Sequence, residues 1–235
     1  MENMTAESNH QMSTFDKIVN VFVSPRMTFQ SINRKPDWVI PMIIVVAVAV
    51  MFTTFIMPIV LPEQMEQQRE GFEERGMSEE EIARAMEMGQ KVGRIVGPIS
   101  AGVMTIVYLL AVAGVLLFCG NIILGGETNY KRVLSVVSYS SLIGSLGTIL
   151  LLPLVLAKKT MHVNYSLAVL MSSEAHDTPL YQSLSKIDFF AIWQVIVVGI
   201  GLSVIYKFTT KKSITLVAIL YALYAIISVI ITMLF

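Results

Sequence analysis

WVIPMIIVVAVAVMFTTFIMPIVL, residues 38–61, holds no ionisable side chain. A bilayer core about 30 Å thick needs about 20 apolar residues of helix to cross it. The stretch is long enough, and it is apolar all round rather than on one face, which is the mark of a helix dissolved in lipid. Four further runs share the property: 95–126, 133–157, 189–206 and 213–235 contain no Asp, Glu, Lys, Arg or His. The expected fold is therefore all-α, a polytopic membrane protein with five transmembrane helices. The spans are about 38–61, 95–124, 133–157, 189–206 and 213–235, and residues 1–37 form an N-terminal tail ahead of them. Residues 1–14 are polar and the first run begins near Trp38, too late and too long for a cleavable signal, so that run is expected to stay as an anchor.

Composition narrows the function. The chain is 54% apolar and 14% charged, against about 25% charged in soluble domains. The stretches between spans are too short to build a separate soluble core. Seventeen basic residues balance seventeen acidic ones, so no net field attracts nucleic acid, and none is expected as a partner. The single cysteine, Cys119, lies inside the second run and says nothing of redox compartment.

From Ser13 the pattern Phe15, Ile18, Val19, Phe22 has helical spacing on one face. Ser24 followed by Pro25 starts a second short helix, with Pro at the first helical position. Lys17, Arg26, Arg34 and Lys35 give the pair a basic side. These are expected to be amphipathic helices at the membrane surface; packing on the protein's own helix ends would leave the same sequence pattern. Between the first two spans, residues 62–94 carry nine glutamates and five basic residues. Ser78 and Glu81 fit a capping box that opens a helix running into span two, and the charge run reads as a solvated helix face. The connection 158–188 includes the apolar stretch 163–171, too short to span and expected to be interfacial or re-entrant.

Loop charge sets the expected orientation. With the N-terminus in the cytoplasm, nine basic residues lie inside and eight outside, a near tie by count. Density separates them, because Lys131, Arg132, Lys207, Lys211 and Lys212 crowd the two shortest loops. The expected C-terminus is extracytoplasmic.

The chemistry-bearing residues are few. Charge inside a span would mark a proton relay or ion path, and the runs have none. Asn121, Gln194, Tyr139 and the serines are the polar groups available there. No catalytic site, metal site or cofactor is expected, and the protein is not read as an enzyme. His162 stands alone, Glu174, His176 and Asp177 lack converging partners, and Gly125-Gly126 is a turn pair rather than a phosphate loop. Small residues are better patterned. Gly89, Gly93, Gly97 and Ala101 recur every four positions, as do Ser140, Gly144 and Thr148. Such faces let helices approach closely in lipid, where no hydrophobic force drives them together. They serve packing within the chain or a homo-oligomer face.

Three segments carry a family resemblance. The first is VFVSPRMTFQSINRKPDWVIP (21–41), with Ser24, Pro25, Pro36 and Trp38. The second is Gly125-Gly126 followed by YKRVLSVVSYSS (130–141), with Tyr139. The third is IDFFAIWQVIVVGIGLSVIY (187–206), with Asp188, Trp193 and Gly199. In this order, over about a third of the chain, they resemble the bacterial branch of the Yip (Ypt/Rab-interacting-protein) family of five-span membrane proteins. The resemblance implies a cytoplasmic N-terminus, a bacterial cytoplasmic (inner) membrane and no enzyme activity. The Asp-Leu-Tyr-Gly-Pro signature of eukaryotic members is absent, so Rab-type GTPase binding is not implied. A proline expected soon after Tyr139-Ser140 is also missing.

Two functions follow as expectations. One is a non-enzymatic membrane adaptor or organiser, whose partners are the lipid bilayer and other membrane proteins. The other is a channel or uncoupled carrier for a small solute, which would need Tyr139, Asn121, Ser140 and Gln194 to converge near mid-depth.

Overall fold

The computed structural model describes residues 12–160, 163, 165–171 and 178–234; His10, His162, Glu174, His176 and Asp177 lie outside them. Among the described residues eight α-helices follow one another: α1 Thr14–Val23, α2 Pro25–Arg34, α3 Val39–Glu74, α4 Glu79–Phe118, α5 Tyr130–Lys158, α6 Pro179–Ser185, α7 Phe189–Tyr206 and α8 Thr210–Leu234. A π-helical turn, Cys119–Ile123, continues α4, and a 3₁₀ turn, Leu167–Leu170, precedes α6. Five helices, α3, α4, α5, α7 and α8, are long and apolar enough to cross a membrane. The core is one cluster shared by α5, α7, the inner faces of α3 and α4, and the two N-terminal helices.

Local chemistry sets the helix starts. Ser13 and Asp16 form a reciprocal capping box at α1, each side chain bonding the other's backbone N–H at 3.1 Å. Ser78 and Glu81 do the same at α4, where the sequence places one. The segment 62–94 departs from a loop-then-helix reading. Helix α3 runs on through Pro58 and Pro62 to Glu74, so α3 and α4 leave the bundle together as a helical hairpin closed by a turn at Gly76. Its charges pair along the helices, Arg69 with Glu73 at 2.9 Å, Arg84 with Glu80 and Lys91 with Glu87 at 2.7 Å, all on solvated faces.

The bundle has a basic end, with Lys131, Arg132, Lys207, Lys211 and Lys212, and an acidic end, where this hairpin projects. Helix lengths give the depths between them. At 1.5 Å per residue the 29 residues of α5 rise about 43 Å, and the 18 of α7 only about 27 Å. A Cβ on Gly201 would meet Val136, one on Gly144 would meet Gln194, and one on Gly147 would meet Phe190. The two helices are thus antiparallel, and α7 begins beside residue 147. The eleven residues of α5 beyond it stand about 16 Å further toward the acidic end.

The chain fills that step. Ser166 bridges Asp188, the Leu167 N–H donates to the Ile187 carbonyl at 3.1 Å, and the Tyr165 and Phe190 rings meet edge to face at 5.6 Å. Residues 165–167 therefore lie beside the start of α7.

Small residues are not one continuous stripe. Around Gly89 no described heavy atom lies within 4 Å of where a Cβ would stand. A Cβ on Gly93 would stand 3.0 Å from Leu61, one on Gly97 would strike the terminal methyl of Met57, and one on Gly144 would stand 2.9 Å from the Gln194 amide oxygen. Ala101 is partly buried and its carbonyl accepts from Thr105; the Thr148 hydroxyl donates to the Gly144 carbonyl at 3.1 Å. Gly89 differs because it sits in the projecting hairpin, beyond the depth where the helices press together.

Candidate functional site: a docked N-terminal hairpin

Helices α1 and α2 pack into the bundle. Val21, Phe29 and Ile32 are fully buried, and the Phe29 ring lies over Gly201 of α7. Phe22 reaches Trp193, ring centroids 6.0 Å apart, and Trp193 in turn meets Phe189 and Phe190. Trp193 is thirteen residues from the basic end of α7, about 20 Å along the helix. The apolar face read from the sequence is split. Ile18 and Phe22 turn toward the core, while Phe15 and Val19 are 73% and 47% exposed and available to lipid.

The polar centre of the dock is Asp37. Its Oδ2 accepts from the Lys17 ammonium at 3.0 Å, from the Tyr139 hydroxyl at 3.1 Å and from the Thr14 hydroxyl at 3.4 Å. Lys17 is 3% exposed and Tyr139 is fully buried, whereas the Asp37 side chain keeps 28% of its surface. Tyr139 lies nine residues inside α5, about 13 Å from its start. Although no run of the sequence contains a charge, the fold sets an ion pair against the Tyr139 hydroxyl of a spanning helix. Its partners come from the tail and from the residue just ahead of the first run.

One signal in the sequence could have found it. Lys17 stands four residues before Val21, so both share the buried face of α1. An amphipathic reading counts only apolar side chains, and it misses a lysine whose stem is buried while its head is paired. Asp37 directly precedes Trp38 and looks like a loop residue unless its partner is known.

The three segments that carry the family resemblance meet here. Ser24 closes α1 and Pro25 opens α2, and Pro36 lies between α2 and Trp38, the residue that caps α3. Tyr139 of the second segment holds Asp37. Asp188 caps α7, accepting from the Phe190 N–H at 2.6 Å and the Ala191 N–H at 3.1 Å. Gly199 lets α8 approach so closely that a Cβ would stand 2.7 Å from the Ile214 Cα. At the basic end Gly125 has φ +67°, a conformation that favours glycine, and a Cβ on Gly126 would strike Tyr206 and Phe208.

Other polar groups find separate partners. The Gln194 amide donates to the Ser141 hydroxyl at 3.3 Å, and the Asn121 amide donates to the Thr128 carbonyl at 3.1 Å. Ser140 is fully buried, and its hydroxyl has no partner among the described residues. Tyr139, Ser140 and the Gln194–Ser141 pair thus lie within little more than a turn of α5, while Asn121 bonds the loop that follows α4. Among the described residues no three His, Cys, Asp or Glu side chains converge as a metal site would require.

Five spanning helices around a docked helical hairpin define an integral, polytopic α-helical membrane protein. A family model described as the Yip1 domain matches residues 19–232, and this chain belongs to that family. The match takes in the second half of α1, all of α2 and the five spans up to two residues short of the end of α8. Membrane protein YknW of Bacillus subtilis (strain 168) is 26% identical over 206 residues, covering 86% of this chain and 84% of that protein. No solved structure matches the chain.

Proposed function

We propose that this Yip1-family protein is a non-enzymatic membrane adaptor, in which the docked N-terminal hairpin and the helix faces beside it bind other membrane proteins. One observation carries the reading. The three family segments come together to seat a hairpin. A buried ion pair is a poor source of stability but a good device for fixing one arrangement against others, which suits a surface that must present a fixed shape. The exposed row Phe15, Val19, Val23 and Met27 on the outer side of the hairpin is the contact surface this reading offers. Proximity labelling from the N-terminus in the native membrane should return a reproducible set of membrane proteins, lost in a Val19→Asp, Val23→Asp variant that still reaches the membrane. Labelling that is indifferent to those changes would remove the hairpin from the adaptor role.

The buried hydroxyls of Ser138, Ser140 and Ser213, without partners among the described residues, favour a second reading as an uncoupled carrier. Flux of small solutes through proteoliposomes of the purified protein, against empty vesicles, separates the two.

We further propose that the basic end faces the cytoplasm of a bacterial inner membrane, with the N-terminus inside and the C-terminus outside. The crowding of five basic residues into two short loops supports this. Reporter fusions at residue 10 and after Phe235 should score on opposite sides. Fusions that score on the same side would show that the span count is not odd.

A further inference from the structure

The cations at the basic end of the bundle lack counter-charges. Among the described residues Lys131, Arg132, Lys207, Lys211 and Lys212 have no carboxylate within ion-pair distance, whereas at the acidic end Arg69, Arg84 and Lys91 each hold a glutamate. Lys211 and Lys212 stand in the first turn of α8, which carries no acidic residue. A helix begins with partial positive charge, so two ammonium groups there are repelled by it as well as by each other. An anion would relieve both repulsions.

Beside these lysines an open groove of about 550 Å³ lies between the π-helical turn that continues α4 and the start of α8. Lys211 and Lys212 form its mouth, Ile123, Leu216 and Ile219 form its inner wall, and Thr215 stands between. The Lys212 ammonium is held in place, donating to the Leu124 carbonyl at 3.5 Å and lying 4.3 Å from the centre of the Phe208 ring. That bond sets the end of the second apolar run level with Lys212, the last charge before α8 becomes apolar at Ser213. Thr215 is about 5 Å deeper than Lys212 along α8, and Ile219 about 10 Å deeper. The groove therefore leads from the charged boundary of the spanning region into hydrocarbon, with Ile123 and Ile219 exposed along it.

We propose that this groove is a binding site for one anionic phospholipid. Its phosphate pairs with Lys211 and Lys212, an ester carbonyl accepts from the Thr215 hydroxyl, and an acyl chain lies along Ile123, Leu216 and Ile219. Cation, hydroxyl and hydrocarbon follow one another down the groove in the order in which such a lipid presents phosphate, ester and tail. A soluble phosphate would meet the lysines and leave the apolar wall uncovered. An acidic segment of another protein would have to carry its polar backbone about 10 Å into hydrocarbon to cover that wall. A zwitterionic lipid brings its own cation to a place that already has too many.

The test uses the full chain in detergent, with phosphatidylglycerol as probe and bound lipid counted by native mass spectrometry. One phosphatidylglycerol should bind saturably, ahead of phosphatidylcholine with the same chains. Lys211→Gln with Lys212→Gln should weaken binding about tenfold to thirtyfold, since each basic residue near a lipid surface is worth about fivefold. Lys131→Gln with Lys207→Gln removes the same charge from the same end outside the groove, and should weaken it less than about threefold where salt screens distant charges. Thr215→Phe fills the groove without altering charge and should abolish binding. Ala218→Phe, on the exposed surface of α8 outside the groove, should not. Equal losses in the two lysine pairs would mean that the whole end attracts lipid by its charge, and would overturn the site. Binding that survives Thr215→Phe, or that is matched by phosphatidylcholine, would do the same. Displacement of the lipid by inorganic phosphate or by soluble polyglutamate would assign the lysines to a free anion or to an acidic partner and overturn the lipid assignment.

Discussion

Asp37→Ala is expected to release the N-terminal hairpin from the bundle. The substitution leaves the Lys17 ammonium, 3% exposed, without a counter-charge, and strips the Tyr139 and Thr14 hydroxyls of their acceptor. Removing one partner of a buried pair costs about 3–5 kcal/mol. Asp37 keeps 28% of its side-chain surface, so the lower end, about 3 kcal/mol, is expected here. That is more than a hundredfold in the docking equilibrium. Amide hydrogen exchange of residues 14–34 in nanodiscs should speed up accordingly, with exchange in α5 beyond Tyr139 little changed. A Lys17→Met, Asp37→Leu double variant should recover most of the protection, because apolar residues of similar size can replace a buried pair at small cost. If Asp37→Ala leaves exchange in the hairpin as it was, Phe29 and Ile32 hold the dock by themselves and the ion pair is incidental.

Gly199→Leu should separate α8 from α7. A Cβ there would stand 2.7 Å from the Ile214 Cα and 3.0 Å from its backbone nitrogen, and backbone cannot turn aside as a side chain can. Helix α8 has little other support, since almost none of its apolar stretch is buried. Overpacking costs about 1–3 kcal/mol in cores that can adjust, and the upper end is expected where backbone is the obstacle. Gly97→Leu meets only the mobile end of Met57 and should cost less; Gly89→Leu should be close to neutral. Thermal unfolding midpoints in one detergent should rank the variants in that order. Equal losses at Gly199 and Gly89 would show that close approach is not what the glycine serves.

The spans were legible because lipid imposes a blunt rule. A helix that crosses must be apolar for about twenty residues, and five stretches obey it with no ionisable exception. The capping box at Ser78 was legible for a similar reason, since its two partners lie three residues apart. Hidden were the features that depend on distant partners. Asp37 and Tyr139 are 102 residues apart. Nothing local to either tells that one carboxylate will receive a lysine, a phenol and a threonine.

Periodicity has the same limit. The spacing of Gly89, Gly93, Gly97 and Ala101 is uniform, yet only where α3 presses on α4 does a small residue matter, and that depth is set by how the helices stack. The amphipathic face of α1 was likewise visible as a stripe of apolar residues. Whether the stripe meets lipid or protein was not, because both environments reward the same side chains. By itself, then, the sequence determined the solvent, the number of crossings and the helix starts, since these follow from transfer energies and short-range hydrogen bonds. Only the tertiary structure decided that the N-terminal helices join the bundle, that a charge pair meets Tyr139, and that Ser166 and Leu167 pair with the residues that start α7. Each of these depends on which surfaces meet, and a chain read one segment at a time carries no record of that.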